Sequence, residues 1–197
     1  TKVAATTLAV MKLEEQGKLT LNDKMSKYLP ELRRTNKEFI TIKMVLEHKA
    51  GLKSWIPFYF ETVKEEAMYD SIYSKTPTNK HTIQVGKDLY MLEEYKDRIF
   101  ERIYESEIKN VGKYKYSDLG MMLMKELVEQ VTEMNFEDYM NITFYKPMGL
   151  NRVTFLPLKK FELEQIIPTA EAPDMRKNRV QGYVHDPGAA MLGGVSG

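Results

Sequence analysis

Two short stretches of this chain carry side chains that can move protons. The first is Thr1-Lys2-Val3-Ala4-Ala5, which runs straight into an amphipathic stretch. The second, far along the chain, is Tyr116-Ser117-Asp118-Leu119-Gly120. A lysine amine acts as a base only where burial or nearby positive charge lowers its pKa. A tyrosine hydroxyl can share such a proton or pass one to a leaving group. An aspartate carboxylate accepts but cannot donate. Paired with a lysine, it raises the lysine pKa and weakens the base.

Other reactive residue types read as structural. His48 would hold the loop after its helix. His185 and Asp186 are adjacent, so their side chains point in different directions and make a poor metal pair. Ser196, in Gly194-Val195-Ser196-Gly197, lacks the strand-then-helix context of a nucleophile elbow. Lys109, Lys113 and Lys115 read as a solvated face. Nothing implies a metal or a cofactor.

The elements that must position the first group are mostly helical. Residues 3–16 read as a helix, with Val3, Thr7, Val10, Met11 and Glu14 along one side and Ala4 and Leu8 beside them. Gly17 stands where a left-handed C-terminal cap belongs. After Leu19–Asp23, a short helical piece ends at Tyr28-Leu29-Pro30. Thr41 is placed to N-cap a helix over 42–48, closed by Ala50-Gly51-Leu52. Residues 53–86 predict loop with a short helix near 61–73. Residues 87–106 predict a helix, because Leu89, Leu92, Tyr95, Ile99 and Ile103 recur at threes and fours. Asn110-Val111-Gly112 breaks that pattern. Ser117 or Asp118 can cap a helix reaching about Gln130, and Asn135 one over 136–145, with Asp138 in a box-like position. Pro147-Met148-Gly149-Leu150 is a turn, Val153–Leu156 a candidate strand, and 182–197 extended chain and turns. The strand signals are too few for a complete sheet.

Composition bounds the function classes. The chain has 197 residues, 43% hydrophobic and 29% charged, with a formal net charge of +1. That length suggests one domain or two small ones, and the charge gives no field suited to nucleic acid or an anionic membrane. No apolar run approaches the roughly 18 residues a spanning helix needs. There is no cysteine, hence no disulfide, thiol catalysis or Cys-ligated metal. Thirteen methionines fall mostly at apolar helix positions and read as core filler.

Set in order, the motifs resemble the serine β-lactamase and penicillin-binding protein superfamily, most of all its class C-like, esterase-type domains of Bacteroidetes kind. Lys2 is similar to the lysine of Ser-x-x-Lys, and Tyr116-Ser117-Asp118 to the Tyr-x-Asn motif. Leu46-Glu47-His48-Lys49-Ala50-Gly51-Leu52 resembles Leu-x-His-x-Ser-Gly-Leu, with Ala50 for serine. Tyr145-Lys146-Pro147-Met148-Gly149-Leu150 resembles the Pro-Leu-Gly-Met turn. Gly182-Tyr183-Val184-His185-Asp186 and Gly193–Gly197 resemble the approach to a His-Ala-Gly third motif. The match spans nearly the whole chain apart from an insertion at about 53–110.

The resemblance implies an α-rich part of the α+β β-lactamase/transpeptidase-like fold, mostly helical with few short strands, with 1–197 as the centre of one domain. It implies a nucleophilic serine two residues before Thr1 and a His/Lys-x-Gly motif after Gly197, so that the chain alone would be inactive. A serine needs a base within reach, and residues three apart share a helix face. Lys2 and Tyr116 are therefore the implied catalytic residues, and Asp118 the implied substrate-binding one. A carboxylate cannot donate to a substrate carbonyl as an amide would. That leans away from β-lactams and toward ester, amide or peptidoglycan-like substrates in the periplasm or cell envelope. The expected partner is a small-molecule or cell-wall substrate. The sheet-facing side of helix 3–16 would be exposed, which favours self-association. The other readings are an inactive module that binds a cell-wall ligand or protein, and a helical interaction domain with accidental motifs.

Overall fold

The computed structural model describes residues 1–64, 67–68, 70–171 and 179–194. Helices are α1 (Leu8–Glu15), α2 (Ile42–Leu46), α3 (Tyr95–Glu105), α4 (Leu119–Thr132), α5 (Phe136–Met140) and α6 (Pro187–Met191). Strands are β1 (Val63–Lys64), β2 (Ala67–Met68), β3 (Tyr73–Ser74), β4 (His81–Gly86), β5 (Leu89–Leu92), β6 (Pro168–Glu171) and β7 (Arg179–Gln181). The chain forms two compact units. One holds residues 1–56 and 101–154; the other holds 57–100 and, from 155 on, the rest of the described chain.

The first unit is helical. Lys2–Thr7 forms a wide π-wound stretch that continues into α1. Gly17, at φ 67, ends it, with Lys18 N–H closing back on Leu13 O at 2.9 Å. The buried stripe is Ala5, Thr6, Ala9, Val10 and Leu13, whereas Val3 (77% exposed) and Met11 (55%) face outward. The stripe is thus rotated from the expected Val3–Thr7–Met11 side. Both flanks of this helix are apolar, so periodicity alone could not choose the buried one.

Thr41 Oγ1 accepts Met44 N–H and caps α2, as its sequence predicts. α2 packs on α4 at Gly120, where a Cβ would lie 2.7 Å from Val45 Cγ1. The expected caps of α4 and α5 are not made. Ser117 Oγ donates to Lys53 O at 2.6 Å, Asp118 turns to Lys2, and Asn135 makes no side-chain cap. Glu129 Oε1, one helix back, accepts Phe136 N–H at 2.8 Å instead. Met25, Met122, Met124 and Met140 are buried as filler between these helices.

The second unit carries the strands that periodicity missed. The expected helix over 87–106 begins only at Tyr95. Before it, β4 and β5 pair antiparallel across Lys87-Asp88, with Asp88 at φ 50. Leu89 and Met91 alternate inward along β5, and the spacing from Leu89 to Leu92 imitates a helix. β3 pairs with the other edge of β5. The expected helix at 61–73 is instead a 3-10 turn over Phe58–Thr62 followed by the antiparallel pair β1–β2; residues 65, 66 and 69 lie outside the described set. Val153–Leu156 is not a strand, because Leu156, at φ 44, turns the chain into Pro157–Lys159. The tail is not wholly extended either. Asp186 accepts Ala189 N–H and Pro187 sits in the first turn of α6, a strong local start signal.

Candidate active site

Lys2, Tyr116 and Asp118 come together within the first unit. Lys2 Nζ lies 2.9 Å from Asp118 Oδ1 and 5.4 Å from the centroid of the Tyr116 ring. Both members of the ion pair are partly buried, while Tyr116 is 46% exposed. Burial pushes the lysine pKa down. Contacts to the Tyr116 hydroxyl and the Asp118 carboxylate outweigh that and hold it above its ordinary 10.5. The Asp118 carboxylate thus helps keep Lys2 an ammonium ion.

The strap leading into α4 is held along the loop after α2. Lys109 N–H donates to Gly51 O, Gly112 N–H to Lys49 O and Lys115 N–H to His48 O, each at 2.8 Å, and Asp118 N–H to Ser54 O at 3.0 Å. Ser117 is buried and its hydroxyl is committed to Lys53 O, so it is a structural serine. His48 Nδ1 accepts Ser117 N–H at 3.2 Å, and its ring lies 4.7 Å from that of Tyr116.

Comparison with known proteins fixes the frame for this geometry. The sequence profile described as Beta-lactamase matches residues 1–191. The chain belongs to the Beta-lactamase family. It is 31% identical over 215 residues to the N-acetylmuramyl-L-alanine amidase of Bacillus subtilis (strain 168), covering 100% of this chain and 44% of that protein. It is 31% identical over 217 residues to a Salmonella agona (strain SL483) protein provisionally named D-alanyl-D-alanine carboxypeptidase, covering 100% of this chain and 45% of that one. The chain thus spans less than half the length of these curated relatives. Its fold is similar to that of the octameric penicillin-binding protein homologue from Pyrococcus abyssi, with a TM-score of 0.61 at 22% identity over 96% of this chain and 39% of that chain. The α-rich part of a β-lactamase-like fold read from the motifs is the fold observed.

In this Beta-lactamase family chain, sequence reasoning singles out three residues that the fold joins, and passes over two others. His48 holds its loop as read from the sequence, and its ring also lies tilted against that of Tyr116, which the sequence does not indicate. Lys37, hidden in the charged run Arg33–Glu38, is fully buried. Its Nζ donates to Asn36 Oδ1 at 2.8 Å, to Tyr104 O at 2.9 Å and to Ser106 O. Nothing in the run's composition separates it from its solvated neighbours. Asp186 spends its carboxylate on α6, and Lys109 pairs with Glu107 on the surface. Ser196 lies outside the described residues. No metal-binding cluster of His, Cys, Asp and Glu occurs among the described residues, and no helix there is long and apolar enough to cross a membrane.

Gly51, in the loop after α2, is where that loop meets the strap most tightly. It sits at φ 72, and a Cβ would meet Lys109 O at 2.8 Å. Gly51→Ala is expected to cost about 2–4 kcal/mol by adding left-handed strain to a clash with rigid backbone. Urea unfolding of the variant checks this; a midpoint equal to that of the parent would mean the strap is not fixed here.

Proposed function

We propose that the full-length protein is a serine hydrolase that works through an acyl-enzyme on an ester, amide or peptidoglycan-like substrate, with Lys2 and Tyr116 as catalytic residues and Asp118 at the substrate-facing end of the site. The observation that carries this reading is the meeting of Lys2 with Asp118 at 2.9 Å and with the Tyr116 ring at 5.4 Å, from two distant parts of the chain. The names of the two 31%-identical relatives, an amidase and a carboxypeptidase, support the peptidoglycan-like choice. A cell-envelope location goes with such a substrate. Self-association through the outward Val3 and Met11 stripe is part of the same reading.

In this mechanism a serine two residues before Thr1 attacks the carbonyl, and neutral Lys2 takes its proton. Tyr116 passes a proton to the leaving group, and water resolves the acyl-enzyme. Because Asp118 holds Lys2 protonated, the neutral base is a minority form near pH 7. The alternative, a module that binds a cell-wall ligand without chemistry, draws on that same ion pair.

Intact mass after exposure of the full-length protein to a fluorophosphonate separates them. One adduct, lost when that serine becomes alanine, is the expected result. A folded protein that gains no mass at any pH would favour the binding module.

A further inference from the structure

His48 touches three consecutive residues of the strap. Its carbonyl accepts Lys115 N–H at 2.8 Å, its ring lies 4.7 Å from the Tyr116 ring at 37°, and its Nδ1 accepts Ser117 N–H at 3.2 Å. Tyr114 stands edge-on at 5.9 Å. The residue itself is in the left-handed region at φ 54, which few residues tolerate. The main-chain carbonyl of His48 thus holds the backbone before Tyr116, and its imidazole the backbone after it.

A peptide N–H can only donate. Nδ1 must therefore be bare, and the ring proton sits on Nε2. A second proton on Nδ1 would set N–H against N–H and break the contact that the Ser117 N–H makes, leaving its hydroxyl on Lys53 O as the remaining side-chain tie. We propose that His48 is the positioning residue of Tyr116, holding it in place only while the imidazole is neutral, so that the site carries an acid-side switch.

The surroundings favour the neutral ring. Burial is the largest influence and lowers the pKa from its ordinary 6.5. Lys2, at the start of the first helix, adds to that; Asp118, after the strap, opposes it. The aromatic neighbours Tyr114 and Tyr116 complete the set. The switch therefore lies below the usual histidine range. It belongs to the folded site, and only its kinetic consequence rests on the acyl-transfer reading.

The test is made on the full-length protein with selectively labelled histidine and tyrosine, followed by NMR from pH 4 to 8. The Tyr116 ring signal, assigned from Tyr116→Phe, is expected to move with the same midpoint as the His48 imidazole. His48→Asn keeps an acceptor near the Nδ1 position, tolerates positive φ and does not titrate in this range. In that variant the Tyr116 signal should stay still. Fluorophosphonate labelling already falls about tenfold per pH unit as Lys2 is protonated; below the His48 midpoint the parent should fall about a further tenfold per unit, and His48→Asn should lose that added steepness. Tyr116 signals that ignore the His48 titration, or that move equally in His48→Asn, would overturn the proposal. If His48→Asn fails to fold, co-titration in the parent decides alone. Absence of labelling at every pH would count against the hydrolase reading, while the NMR titration would still decide the role of His48.

Discussion

Lys2→Ala should slow fluorophosphonate acylation of the full-length protein by about 10²–10⁴-fold, the usual contribution of a positioned general base. Asp118→Asn should act in the opposite direction near neutral pH. The carboxylate lies 2.9 Å from Nζ and helps hold the lysine above its ordinary value. Removing the charge but keeping the shape lowers the lysine pKa. Well below that pKa, each unit of decrease gives tenfold more neutral base. The rise of labelling with pH should therefore move toward neutrality in Asp118→Asn, and vanish in Lys2→Ala. A pH profile of labelling rates for the three proteins is the measurement. If Asp118→Asn leaves the profile in place, the ion pair is not what restrains the base. If Lys2→Ala labels at the parent's rate, Lys2 is not the base at all.

Lys37→Met is expected to change stability little at pH 7, where losing the hydrogen bonds is offset by losing a buried charge, and to destabilise the protein by about 2–4 kcal/mol near pH 10. The substitution removes the donor for Tyr104 O and Asn36 Oδ1, while Ser106 O keeps Asn36 Nδ2 at 3.1 Å. It should also remove a pH slope. Burial, with Lys53 nearby, lowers the Lys37 pKa from 10.5 to about 8 in the folded protein. Between those values the unfolded chain binds more protons than the folded one, so stability due to Lys37 rises with pH from about 8 to 10.5. Below pH 8 its buried charge costs a constant amount, of the order of 3 kcal/mol. Chemical denaturation of parent and variant at pH 7, 8, 9 and 10 tests this, since other alkaline groups cancel in the difference. The gap between the two proteins should widen with pH; parallel curves would show that Lys37 does not titrate in its burial site.

The helical unit and the three-residue site are legible in the sequence because their signals are local. Thr41, Gly17 and the apolar periodicity of α4 act within one or two turns, and each is realised. Tyr116 and Asp118 are legible because they stand in a motif of fixed spacing. What stays hidden depends on contacts between distant residues. β5 reads as helix because Leu89, Leu92 and Tyr95 fall at threes; only pairing with β4 and β3 makes it a strand. α5 takes its cap from Glu129 on the preceding helix, not from Asn135 beside it. Lys37 has no local mark at all, because its three acceptors include two carbonyls some seventy residues away. His48 reads as a loop anchor because Tyr116 reaches it only through the strap.

The contact between Gly120 and Val45 limits how this site can vary. α2 leads to His48 and α4 follows directly on Tyr116 and Asp118, and the two helices meet where a single added methyl would stand 2.7 Å from Val45 Cγ1. Positions 45 and 120 are therefore not free to drift independently. A lineage that enlarges one must shrink the other in the same step or the next, and a change at 120 alone reaches the tyrosine and the histidine without touching either. The spacing of His48 from Tyr116 and Asp118 is thus set by a pair of side-chain volumes.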